Sequence, residues 1–292
     1  AYLSDITSRK HRTKIMAWSG VAISSGVIFG PVLGSFLSQT NLHFKYSLGI
    51  LHLDRFSIPF LLIALLGFIV MMILIKWLKN TAPVINFASG KQKLNFSFSR
   101  FFIVLLLLSF VMQFVVTLFE TVFSIYGKDE LSFTSIQIGI GFMLCGVVMA
   151  VLQPVFATYG KKLITAKKQI GAGLLISGIS MIAFPFFNNE FYVYVLIITF
   201  ATGGALVTPN LLSAVSLLSK ENAGSNISIQ TSANSVGQIL GPVIGTWLIA
   251  GGFYYPFIIA GIIILTAIGL LYFYRSFYKP TNENTQRSLT DN

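Results

Sequence analysis

The sequence predicts an all-α, multi-pass membrane protein with about eight spanning helices. Of its 292 residues, 54% are hydrophobic and only 10% charged, with a mean hydropathy of +0.78, whereas an ordinary soluble domain carries about 25% charged residues. The apolar residues gather into long unbroken runs, and the basic residues gather on alternate connections between those runs. A soluble fold has no interior large enough for so much apolar surface.

The runs come first. A helix crossing a hydrocarbon core of about 30 Å needs about 20 mostly apolar residues. Eight stretches reach that length: Ile15 to Gln39, Phe56 to Leu78, Phe101 to Tyr126, Ile136 to Thr158, Gln169 to Phe187, Phe191 to Leu218, Asn226 to Ala250 and Tyr254 to Tyr274. Strands that cross a membrane alternate in polarity over about 10 residues, and these runs do not alternate, so helices are expected.

The net charge of +11 would suggest a nucleic-acid partner in a soluble protein, but its distribution excludes that reading. One side of the predicted helices receives Arg9, Lys10, Arg12, Lys14, Lys76, Lys79, Lys91, Lys93, Arg100, Lys161, Lys162, Lys167, Lys168, Lys220, Arg275, Lys279 and Arg287. The other side receives Lys45, Arg55 and Lys128. Seventeen against three is a positive-inside pattern that places both ends of the chain in the cytoplasm. Cys145 is the single cysteine, so no disulfide and no cysteine-based metal site can form within the chain. His11, His43 and His52 fall in predicted connections without metal-ligand spacing. Nothing calls for a cofactor.

An internal repeat gives the organisation. Residues 26–35 read G-V-I-F-G-P-V-L-G-S and residues 237–246 read G-Q-I-L-G-P-V-I-G-T, so Gly26, Gly30, Pro31 and Gly34 recur as Gly237, Gly241, Pro242 and Gly245 at an offset of 211. Each copy lies near the outer end of a helix that starts from a cytoplasmic connection. The second copy falls in the fifth helix of a bundle beginning at Phe101. By symmetry the first falls in the fifth helix of a bundle that begins about 110 residues before Ala1, as the duplication requires. The expected layout is residues 1–78 as the end of a first bundle, 79–100 as a Lys-rich cytoplasmic linker, 101–274 as a second six-helix bundle and 275–292 as a polar tail. The chain opens on Ala1 and a basic connection, which suggests that four helices of an original twelve precede it and that the chain alone does not transport. Glycines four apart let a second helix approach closely and proline bends the helix, so the motif is either a packing groove or a hinge between halves.

The run G-x-x-x-G-P-x-x-G resembles the antiporter motif of the drug:proton antiporters of the major facilitator superfamily, with Ser35 where that family usually ends on glycine. The opening A-Y-L-S-D-I-T followed by Arg12 resembles the family's connection between its fourth and fifth helices, and F-E-T-V-F-S-I-Y-G-K-D-E-L from Phe119 is similar to the seventh helix of Nor-type quinolone efflux pumps. The resemblance implies a major facilitator fold and export of small amphipathic drugs in exchange for protons. It covers the chain to about Tyr274. In the tenth helix the Nor-type pumps carry an aspartate and an arginine where this sequence has Ala205 and Thr208, so a second proton carrier is absent from this half.

Glu120 is the single charged residue well inside any of the eight stretches. A charge at mid-membrane costs about 3 kcal/mol on insertion scales and is as a rule functional. It can hold a proton in one state and a cationic drug in another, or be a hydrogen-bonded packing residue, and its F-E-T context matches the Nor-type glutamate. Gln113, Thr117, Glu120 and Ser124 recur at helical spacing, as do Gln230, Asn234 and Gln238. Both stripes suit either a wet cavity or interhelical hydrogen bonding. Gln153 beside Pro154 and Asn210 beside Pro209 are candidate site residues or local partners for carbonyls freed by proline. Most of the phenylalanines are expected to face lipid or core, with Phe114 and Phe123 near Glu120 as candidates to line a pocket for flat drugs.

The expected function is proton-coupled drug efflux by a monomer in the cell membrane, the alternative being a facilitator exporting a sugar or peptide. A membrane-embedded enzyme would need several convergent catalytic groups, and one carboxylate with one cysteine is too few. No phosphate-binding loop of Walker type is present.

Overall fold

Where apolar runs of this length meet hydrocarbon, every backbone amide must be satisfied within its own helix, and the computed structural model is accordingly built from long helices. It describes residues 57–77, 99–156, 164–218 and 223–273, two short strands, and seven positions between 26 and 37. The helices are α1 (Ser57–Trp77), α2 (Arg100–Asp129), α3 (Ser135–Val155), α4 (Ala166–Ala183) with a 3-10 turn at Phe184–Phe186, α5 (Glu190–Leu217), α6 (Ala223–Ile249) and α7 (Tyr254–Phe273). All but α6 are long and apolar enough to cross a membrane. The shortfall in α6 comes from its Ser, Thr, Asn and Gln residues. Each helix starts and stops within a few residues of its expected stretch. The stretch Ile15 to Gln39 lies mostly outside the described residues, and its described positions are helical.

The hydropathy pattern did not anticipate a hairpin. The connection expected between the first two stretches contains an antiparallel pair, β1 (Tyr46–Leu48) with β2 (Leu51–Leu53), in which Ser47 stands opposite His52.

The chain divides into two compact units, Ala1–Phe96 with Ser124–Ala150, and Ser97–Phe123 with Val151–Asn292. In the first, α1 is apolar on every face and has no buried residue among those described. The turn from α2 to α3 passes through Ser132 at φ 55° and closes on a capping box: Gln137 Oε1 accepts from Thr134 N at 2.8 Å, and Thr134 Oγ1 accepts from Gln137 N at 3.4 Å.

The second unit is built on small residues. A Cβ added to Gly173 of α4 would stand 2.6 Å from Gly203 O of α5, and one on Gly261 of α7 would stand 2.8 Å from Gly178 O of α4. With side chains removed at both crossings, α4 lies backbone to backbone against two neighbours. Next to these seams is an aromatic cluster. Phe119 of α2 has ring centroids 5.5 Å from Phe123, 5.4 Å from Phe184 and 5.0 Å from Phe200, and Phe184 stacks on Phe257 at 4.8 Å. Phe123 is fully buried in this cluster and Phe114 is also buried, so neither is open to line a drug pocket. At the start of α5, Asn189 Oδ1 accepts from Phe191 N at 2.9 Å. Asn189→Ala is expected to lower stability by about 1 kcal/mol, measured by thermal melting of the detergent-solubilised protein.

Candidate functional site

The second copy of the glycine motif sits where α6 meets α2. A Cβ on Gly237 would stand 2.9 Å from both Phe110 O and Phe114 N, and one on Gly241 would stand 2.6 Å from Phe114 O and 2.9 Å from Leu118 N. On Gly245 it would stand 3.0 Å from Val122 Cγ2. The contacts climb both helices together, so α2 and α6 run parallel. For this copy the contacts are those of a packing groove, and α6 continues through Pro242. In the first copy, Gly26, Gly30 and Gly34 are helical and a Cβ on any of them would meet nothing within 4 Å. Pro31 lies outside the described residues.

Thr117 is the residue fitted into the groove. Its hydroxyl lies 3.0 Å from Gln113 O on its own helix and 3.3 Å from Gly237 O on α6, and it is the first atom a Cβ on Gly241 would strike. One turn further, Thr121 Oγ1 donates to Thr117 O at 3.0 Å.

The two polar stripes come together along this seam. Gln230 Nε2 donates to Ser109 Oγ at 2.8 Å, which fixes the side of α6 that faces Ser109. Asn234 and Gln238 follow Gln230 at intervals of four, and Gln113 and Thr117 follow Ser109 in the same way. Residues four apart share a helix face, so both stripes border one side of the α2–α6 pair. Gln113, Thr117 and Asn234 are half-buried, and Gln238 and Glu120 are exposed at the protein surface. Glu120 follows three residues after Thr117, with Ser124 one turn beyond it. Ser109 is missing from the expected stripe, although its spacing before Gln113 and Thr117 marks it as a member.

Asn210 belongs elsewhere. It is buried on the α4–α5 contact, where its Nδ2 donates to Gln169 Oε1 at 2.9 Å and to Leu206 O at 2.8 Å, while Gln169 Nε2 donates to Ile164 O at 2.9 Å. Pro209, inside α5, lacks the N–H that would bond Ala205 O, whereas the Asn210 side chain binds Leu206 O. Gln169, 41 residues away in sequence, carried no signal that would pair it with Asn210. Gln169→Leu is expected to cost about 1–3 kcal/mol by leaving one Asn210 N–H unpaired, and Gln169→Leu with Asn210→Leu less than the sum of the singles. Melting of the three variants checks this. Gln153 is half-buried beside Pro154 in the last turn of α3. Among the described residues no three His, Cys, Asp or Glu side chains are grouped to hold a metal ion.

Comparison with known proteins agrees with this architecture. The chain is 26% identical over 279 residues to Multidrug resistance protein 2 of Bacillus subtilis, covering 92% of this chain and 66% of that protein. It is 24% identical over 251 residues to Quinolone resistance protein NorA of Staphylococcus aureus, covering 83% of this chain and 60% of that protein. The chain thus spans less than two thirds of the length of either. A solved structure described as a bacterial metal transporter superposes with a TM-score of 0.65 at 16% identity, over 93% of this chain and 68% of that one, which is a likeness of fold. The family profile for the Major Facilitator Superfamily matches residues 1–216 and again residues 105–291, and the chain belongs to that superfamily of membrane transporters.

Proposed function

We propose that this chain is part of a proton-coupled exporter of small amphipathic drugs that works as a monomer in the cell membrane by alternating access. The observation that carries the reading is Glu120: a carboxylate two thirds of the way along an apolar spanning helix, within a polar stripe. The relatives named for multidrug and quinolone resistance support the substrate class.

In this reading residues 1–78 complete a first bundle, 79–100 link the halves, 101–274 form the second bundle, and both ends of the chain lie in the cytoplasm. The first glycine copy, Gly26, Gly30, Pro31 and Gly34, serves as the hinge or seal between halves. A proton arriving from outside neutralises Glu120 and favours release of a cationic drug. Loss of that proton toward the cytoplasm restores the charge that binds the next one. Gln113, Thr117, Asn234 and Gln238 border the path, and Gln153 and Asn210 hold bent helices in place beside it.

The test is energetic. In cells expressing the whole protein, a protonophore is expected to stop export of an amphipathic dye while ATP levels are held constant. Export that continues against a gradient without a proton-motive force rules the reading out.

A further inference from the structure

The α2–α6 seam changes character along its length. At Gly237 and Gly241 the backbones are in contact, whereas nearer the start of α6 the seam is filled by amides. Gln230 is 5% exposed and spends its Nε2 on Ser109, but its Oε1 has no hydrogen-bond partner among the described residues. Asn234 Oδ1, one turn on, is likewise buried with no hydrogen-bond partner among the described residues. Turning the Gln230 amide end for end would orphan its nitrogen instead. A buried carbonyl left unpaired is destabilising, and hydrocarbon around the helices offers it nothing. The weak part of the seam is therefore the part nearest the start of α6.

Its position matters. Gly237 lies level with Gln113 and Gly241 with Thr117, which sets Asn234 level with Phe110. At a helical rise of about 1.5 Å per residue, Asn234 is then about 15 Å from Glu120 toward the proposed cytoplasmic side. Gln113, Gln238 and Thr117 lie between. No other charge competes in the middle of the neighbouring helices: α6 and α7 carry none, α4 has Lys167 and Lys168 in its first turn, and α5 has Glu190 as its first residue, with Tyr192 and Tyr194 close after it.

We propose that the seam parts at the start of α6 to admit water onto Gln230 and Asn234, and that this water is the inner route by which Glu120 exchanges its proton with the cytoplasm. The inference rests on the proton-coupled reading above. In the step, the Glu120 O–H bond breaks and its proton passes to the adjacent water. That water gives up a different proton toward the cytoplasm, leaving a carboxylate. The amide oxygens accept hydrogen bonds from the waters and take no proton. Their role is positioning.

The test uses the whole transporter in liposomes. Gln230→Met with Asn234→Leu keeps the bulk of both side chains and removes the acceptors. Its melting temperature is expected not to fall, and its substrate-driven proton release to slow about tenfold. Asn234→Ser, which keeps an acceptor, is expected to stay within about twofold of the parent. Separately, Asn234→Cys in a Cys145→Ser background is expected to react with a membrane-impermeant maleimide from the cytoplasmic side. A folded double variant with parental proton release overturns the route, and so does an unreactive Asn234→Cys beside a reactive Ser235→Cys. Should the double variant not fold, the labelling decides alone. If Glu120→Gln abolishes coupling while the double variant behaves as the parent, this route fails and the proton-coupled reading stands; coupling intact in Glu120→Gln removes both.

Discussion

Glu120→Gln in the whole protein is expected to lower proton-driven drug efflux by about a hundredfold, with expression and melting temperature unchanged. The amide is nearly the same size as the carboxylate and keeps an acceptor oxygen, but it can neither take up nor release a proton at physiological pH. Removing a group that transfers a proton typically forfeits a factor of at least about a hundred. Because Glu120 is exposed and lies outside the aromatic cluster of Phe119 and Phe123, the exchange leaves that cluster intact. Glu120→Asp, which keeps the ionisable group on a shorter stem, is expected to retain a measurable part of the flux. Initial rates of dye export from energised vesicles, normalised to the amount of transporter, distinguish the three proteins. Equal rates for the parent and Glu120→Gln would leave the carboxylate without a role in coupling.

The second large effect is on stability. Gly241→Leu is expected to destabilise the folded protein by about 3 kcal/mol or more, since a Cβ there already stands 2.6 Å from Phe114 O and 2.9 Å from Leu118 N and strikes the Thr117 hydroxyl. Backbone cannot yield as a flexible side chain does, and overpacking costs typically reach about 3 kcal/mol even where side chains can move. Gly269→Leu is the matched control. It adds the same bulk in α7 at a site where a Cβ meets nothing within 4 Å, and its cost is expected within about 0.5 kcal/mol, as for ordinary surface positions. Size-exclusion profiles after heating, read for the monodisperse peak, should show the loss for Gly241→Leu alone. Equal thermal behaviour of the two would mean that the α2–α6 contact is not the one that holds α6.

Helix positions were legible because hydrocarbon imposes one requirement on every spanning segment, continuous apolarity over a fixed length, and that requirement is written locally. Phe101 to Tyr126 could be read as a helix without reference to anything it packs against. The meeting of the two polar stripes was less visible. Periodicity places Gln113 and Thr117 on one face and Asn234 and Gln238 on another, but which faces touch depends on Gly237 and Gly241 admitting Thr117, a contact between residues 120 positions apart. The Gln169–Asn210 pair was not visible at all, since polar residues scattered through apolar helices have many geometrically possible partners and sequence does not choose among them. The strand pair Tyr46–Leu48 with Leu51–Leu53 was not legible because it occupies a short connection, where the apolar signal used to find helices says nothing. For Phe123 the sequence left core and pocket wall both open, for a related reason. A phenylalanine three residues from a carboxylate looks like a pocket wall, and only the crossing of α2 with the Phe184 turn shows that it points into a closed cluster.

The account turns on Glu120 exchanging its proton for cargo, and the most direct measurement is of the proton itself. With the purified whole transporter in detergent at weak buffering, substrate is added and the pH is followed by an indicator dye. The parent is expected to release close to one proton per substrate bound, at a pH where the carboxyl is protonated beforehand, and the Glu120→Gln variant to release none. Proton release of the same size from the variant would contradict the account.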